Sequence, residues 1–159
     1  MGNPAGRLAY SWHIDAKYTS ALDPPGGVKI FALLSDVAPR GGATLVVGGS
    51  HRLVHRWFSE NPPPRDAKGA DMRRLLRAHP YLGSLQSAAD TAQRIARFMG
   101  AVEDDGGIPL QVVELSGAAG DVFLLHPLTL HAAAPNAGPA PRFMLSGGIT
   151  NDMWGWQQP

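Results

Sequence analysis

Residues 120–142 read GDVFLLHPLTLHAAAPNAGPAPR, and the fold is decided by how that stretch is parsed. Two short apolar runs, Val122 to His126 and Leu128 to His131, predict strands, with Pro127 interrupting the ladder between them. Pro135, Asn136, Gly138, Pro139 and Pro141 then predict a turn, and Arg142 opens a further strand pattern from Phe143 to Thr150. Upstream, strand patterns cover residues 7–15, 28–37, 43–47 and 110–115. The 28–37 run, VKIFALLSDV, is apolar on both faces near its middle and reads as a central strand.

Between the two β-rich portions, residues 51–100 read as a helical insertion. Ser50 is expected as a helix N-cap, Asp71 to His79 as a helix stopped by Pro80, and Ser87 with Asp90 as a capping box for a helix ending at Gly100. Strands on both sides of a helical excursion predict a mainly β double-stranded β-helix, a cupin-like jelly roll, forming one domain over residues 1–159.

Composition narrows the chemistry. The 159 residues are 44% apolar and 17% charged, the range of an ordinary folded domain, and 19 glycines with 14 prolines suit many short turns. A formal charge of +1 gives no pull toward nucleic acid, and no apolar run approaches a membrane span. There is no cysteine, so disulfides and thiolate chemistry are excluded, and any metal must rest on His, Asp or Glu. A reducing, cytoplasmic location fits that absence. Seven of the 14 basic residues fall between Arg52 and Arg77, either a solvated face or a lid recruiting an acidic substrate.

His13 and Asp15 share one face of the first strand, with Trp12 and Ile14 on the other. A third histidine from a facing strand would complete two imidazoles and one carboxylate on one side of a metal, leaving positions open for further ligands. His126 and His131 both qualify, and geometry along the sequence does not choose between them. Thr44 and Phe31 are expected in the interior, His51 in a turn, and His55 and His79 on helix surfaces.

The stretch from Gly120 to Arg142 resembles the C-terminal signature of the phytanoyl-CoA dioxygenase (PhyH) family, G-D-x-x-x-x-H-x-x-x-x-H-x-x-x-x-N followed by an arginine eleven residues beyond the second histidine. Trp12-His13-Ile14-Asp15 resembles that family's His-x-Asp strand. GGATLVVGGSHR, residues 41–52, resembles its N-G-x-x-x-x-x-P-G-S-H-K segment, with Gly48 in place of the proline. The resemblance implies an Fe(II)- and 2-oxoglutarate-dependent dioxygenase acting on a small organic substrate with O2, releasing succinate and CO2. It implies His13, Asp15 and His131 as catalytic iron ligands, Arg142 as the clamp on the far carboxylate of 2-oxoglutarate, and His126 as a neighbouring structural residue. It also implies a larger N-terminal portion before the His-x-Asp strand, so either the sequence is a fragment or an open sheet edge is expected there, covered by a second copy or another chain. The alternative is a jelly-roll module that binds a metal or small acid without turnover.

Overall fold

The computed structural model describes residues 12–15, 27–62, 70–86 and 95–150. Strand β1 (Gly27–Leu33) sits between two antiparallel neighbours, β5 (Val122–Leu125) and β7 (Met144–Thr150). The register pairs Phe31 with Phe123 and Leu33 with Met144, so these side chains share the inner face. Phe31 and Leu33 are buried there, with Phe123, Leu125 and Met144 packed beside them.

The second sheet runs β3 (Glu103–Asp104), β4 (Pro109–Glu114), β2 (Thr44–Gly48), β6 (His131–Ala133), again antiparallel. Thr44 to Val47 are all buried. Val46 packs toward Phe31 in the space between the sheets, while Leu45 and Val47 join the larger core under the helices. That core contains Leu53, Val54 and Phe58 of α1 (Ser50–Glu60), Leu75 and Leu76 of α2 (Ala70–Ala78), Tyr81, Leu82 and Leu85 of α3 (Pro80–Gln86), and Phe98 from a π-helical turn at Ile95–Met99. Two facing antiparallel sheets make the chain a jelly roll, with helices inserted between β2 and β3. No helix among the described residues is long and apolar enough to cross a membrane.

Several sequence expectations are corrected. The strand expected over 28–37 ends at Leu33, and Val37 makes only an isolated bridge to Gly117. Among the described residues β1 is central in its sheet but covered on one face only, because the described helices pack over the other sheet; β2 is the strand buried on both sides. The strand expected at Leu128–His131 begins only at His131, since the Thr129 N–H closes a turn onto the His126 carbonyl at 2.9 Å. Ser50 is not the N-cap. Gly49 holds that place at φ 79°, where an added Cβ would collide with the Pro109 carbonyl.

Pro80 starts α3 as well as ending α2, as proline is tolerated in a first helical turn. His79, between those helices, is buried rather than solvated, with Nε2 3.2 Å from Asp105 Oδ1. Arg56 reaches the same Asp105 carboxylate, so the turn after β3 clamps α1 and the α2–α3 junction together. Arg73, Arg74 and Arg77 are exposed and His55 is exposed, as expected. The first-strand residues 7–11, the capping box at Ser87 and Asp90, and Trp154 and Trp156, which the sequence predicts to pack on the surface of the sheet, lie outside the described residues.

Candidate metal centre

The glycine, aspartate and asparagine of the 120–142 stretch serve the backbone. Gly120, at φ 97°, and Asp121 close the turn into β5: the Ala118 N–H donates to Asp121 Oδ2 at 2.9 Å, and the Gly120 N–H to the Leu33 carbonyl at 2.8 Å. Asn136 folds the following loop on itself, its Oδ1 accepting the Gly138 N–H at 2.8 Å and its Nδ2 donating to the Ala140 carbonyl at 2.7 Å. A Cβ at Gly42 would overlap the Asn136 side chain at 2.7 Å, which is why that loop can lie flat against the start of β2. With those residues committed to turns, the histidines and the arginine are the ones with chemistry to spare.

His131 opens β6 and pairs with Val46 of β2. On its other side it forms an isolated antiparallel bridge with His13, through N–H···O bonds of 3.1 and 3.0 Å. That bridge brings the distant residues 12–15 to the site. Trp12 and Ile14 turn into the core, and His13 and Asp15 turn toward His131, as strand alternation requires. The imidazole rings of His13 and His131 lie 4.4 Å apart by centroid. His13 Nε2 is 3.5 Å from Asp15 Oδ1, and His131 Nε2 is 3.6 Å from Asp15 Oδ2. One ligand atom from each of the three residues lies within 4.8 Å of the others, an arrangement that could hold a metal ion.

The donor set fits such an ion in its protonation as well as its spacing. His131 Nδ1 stands 3.0 Å from the Thr129 carbonyl, which can only accept, so Nδ1 carries the proton and Nε2 presents its lone pair to Asp15. Burial, followed by the charge of His13, lowers the His131 pKa despite the Thr129 bond and Asp15, which favours the neutral imidazole that a metal needs. Burial raises the Asp15 carboxyl, but the hydrogen bond from Lys29 and the charges of His131, Lys29 and His13 outweigh it and hold it below its ordinary value. Phe31 closes one side of His131, ring edge to ring face with centroids 5.5 Å apart.

His126 does not join this group. Its Nδ1 accepts the Leu128 N–H at 3.1 Å, and its ring lies against His51, with centroids 5.1 Å apart. The neutral ring therefore carries its proton on Nε2 and has no free lone pair. Burial lowers the pKa of both His51 and His126, reinforced by Arg52 at His51 and by His51 and His55 at His126.

Arg142 lies two residues before β7. Its Nη1 is shielded from solvent and has no hydrogen-bond partner among the described residues. Thr44 and Phe31 are both buried, Thr44 with its Oγ1 3.8 Å from Met144 Sδ.

Two contributors escaped the sequence reading. Lys29, on the inner face of β1, places Nζ on Asp15 Oδ2 and over the Phe31 ring, 5.1 Å from its centroid. Its alternation with Phe31 was the available signal. Ser50, fully buried, donates from Oγ to the Val47 carbonyl at 2.6 Å and accepts the Leu130 N–H at 2.9 Å, tying the β2–α1 turn to the residue before His131. No signal in the sequence assigned that bond.

Comparison with curated proteins returns no match. The family model described as phytanoyl-CoA dioxygenase (PhyH) matches residues 2–144, from before His13 to the start of β7. The chain belongs to the phytanoyl-CoA dioxygenase family.

Proposed function

We propose that this protein is an Fe(II)- and 2-oxoglutarate-dependent dioxygenase that hydroxylates a small organic molecule, releasing succinate and CO2. The observation that carries the reading is the convergence of His13, Asp15 and His131 from two distant segments, in a chain of this family. Two imidazoles and one carboxylate leave coordination positions open, the donor pattern suited to non-haem Fe(II) rather than to a closed structural site. When bound, the iron and 2-oxoglutarate supply the O2 activation that no side chain of this chain performs.

The chain's own residues bind and orient. His13 Nε2, His131 Nε2 and the Asp15 carboxylate hold the metal, with the Thr129 carbonyl fixing the His131 tautomer. Arg142 grips the distal carboxylate of 2-oxoglutarate. Its shielded, unpartnered Nη1 supports this role, because a buried guanidinium N–H without an acceptor is costly until an anion supplies one. Lys29 keeps Asp15 ionised and adds positive charge beside a cosubstrate that arrives as a dianion. Phe31 limits water on one side of His131. Hydroxylation is the expected outcome of a site that keeps the carboxylate at Asp15.

The test is anaerobic addition of Fe(II) and 2-oxoglutarate, followed by admission of O2 and an assay for succinate. A visible charge-transfer band and succinate that rises with substrate are expected. Absence of the band would defeat the oxygenase reading, and a band with no succinate would favour a binding module.

A further inference from the structure

We propose that the outer face of the β5–β1–β7 sheet is the interface between two copies of this chain. Strand alternation places Val28, Ile30, Ala32 and Leu34 opposite the buried Phe31 and Leu33. The register sets Val122 beside Ala32, Leu124 beside Ile30, Leu145 beside Ala32 and Ile149 beside Val28, so all of them share that outer face. Phe143 extends it, its carbonyl accepting the Leu34 N–H at 2.9 Å.

Val28, Leu34, Val122, Leu124, Phe143, Leu145 and Ile149 are between 38% and 69% exposed, so no described element packs over them. None of the outward positions on these strands carries a charge. Sheet faces left in water normally alternate to polar residues, and open edges normally carry Lys or Pro.

The size of the patch suits a second copy as its occupant. Seven such side chains present on the order of 700 Å² of apolar surface, above the few hundred Å² usual on a monomer and close to the ~800 Å² each partner contributes to a standard interface. A face with no charges is complementary to itself, and a net charge of +1 sets up little repulsion between copies. Gly147, paired with Ile30 near the middle of the face, leaves a notch: a Cβ added there would meet nothing within 4 Å. A leucine or isoleucine of a second copy can enter that notch, as side chains interdigitate when two sheets stack. A lipid surface is a poorer fit, because membrane-seeking faces carry Lys and Arg at their rim, whereas Asp36 and Asp121 flank Leu34 and Val122 here.

Because the chain has no cysteine, Leu124→Cys gives one reporter thiol on the face, and Arg73→Cys gives one on exposed α2 as a control. Sedimentation should show a dimer. Maleimide labelling of Leu124→Cys should slow about tenfold or more between ~0.1 and ~50 μM protein while Arg73→Cys stays constant, as mass action requires. The variant Leu124→Lys/Leu145→Lys should be monomeric with unchanged far-ultraviolet dichroism. The proposal is overturned by a chain that stays monomeric over this range, by a dimer with Leu124→Cys freely labelled, or by protection that does not vary with concentration. Concentration-independent protection would mean that another part of the same chain covers the face. A monomer that binds phosphatidylcholine vesicles would equally overturn it. Should the lysine variant not fold, the labelling rates decide.

Discussion

The rings of His13 and His131 and those of His51 and His126 form two comparable pairs, 4.4 and 5.1 Å apart by centroid. Their chemistry differs through single hydrogen bonds. His131 gives its Nδ1 proton to the Thr129 carbonyl and keeps the Nε2 lone pair free toward Asp15. His126 takes the Leu128 N–H onto Nδ1 and is left with Nε2 protonated. Among the described residues, only the first pair has a carboxylate beside both of its rings. Two histidines five residues apart in one stretch are thus held in opposite tautomers, one with Nε2 open toward Asp15 and one with Nδ1 bonded to the backbone.

Breaking the first pair should have the largest effect. His131→Ala is expected to weaken Fe(II) binding by more than the 10–100-fold typical of losing an outer-shell partner, whereas His126→Ala should cost roughly tenfold or less. Anaerobic titration of the Fe(II)/2-oxoglutarate band measures both, and the opposite ranking would sink the assignment of His131. Next is Arg142→Lys, which loses the planar fork and should raise the KM for 2-oxoglutarate by roughly 10–100-fold, the equivalent of about 1.5–3 kcal/mol. An unchanged KM would remove Arg142 from the cosubstrate site.

The bond between the two regions is broken by Ser50→Ala, which strands the buried Leu130 N–H beside His131. A loss of about 1–3 kcal/mol in denaturant unfolding is expected. The accompanying fall in Fe(II) affinity should be smaller than for His131→Ala, and its absence would show that Ser50 supports the fold without bearing on the metal.

The smallest effect tests the second pair. The pKa values of His51 and His126 lie below their ordinary 6.5 in the folded chain, so around and below that value the unfolded chain binds more protons. Their neutral pairing therefore contributes fully above pH 6.5 and is lost as pH falls through 6.5 toward the folded-state values. His51→Gln/His126→Gln should flatten the decline of Tm below that pH. A parallel, undiminished decline would place the acid sensitivity elsewhere.

How far the residues alone could be read differs between the two sheets. The inner positions of β1, Phe31 and Leu33, follow from alternation, and the strand limits at β4, β5 and β7 fall within a residue or two of those expected. His79 was misplaced on a helix surface, because its burial depends on Asp105 arriving from the turn after β3. The start of β6 was misjudged at Leu128, because the turn that delays it uses a backbone bond from Thr129 that no side chain announces. Ser50 has the right type for a cap, but the Gly49 backbone takes that place and frees the hydroxyl for Leu130.

What the sequence by itself determined is what can be counted along one chain: the donor types at His13, Asp15 and His131, the eleven-residue interval to Arg142, and the alternation that gives each strand two unlike faces. Only the tertiary structure decided which histidine meets Asp15, that Lys29 reaches the same carboxylate, and which sheet the helices cover. The reason is that alternation defines two faces without saying what lies against either. A lone pair, a half-buried ammonium and an apolar sheet face acquire meaning only from neighbours far away in the chain.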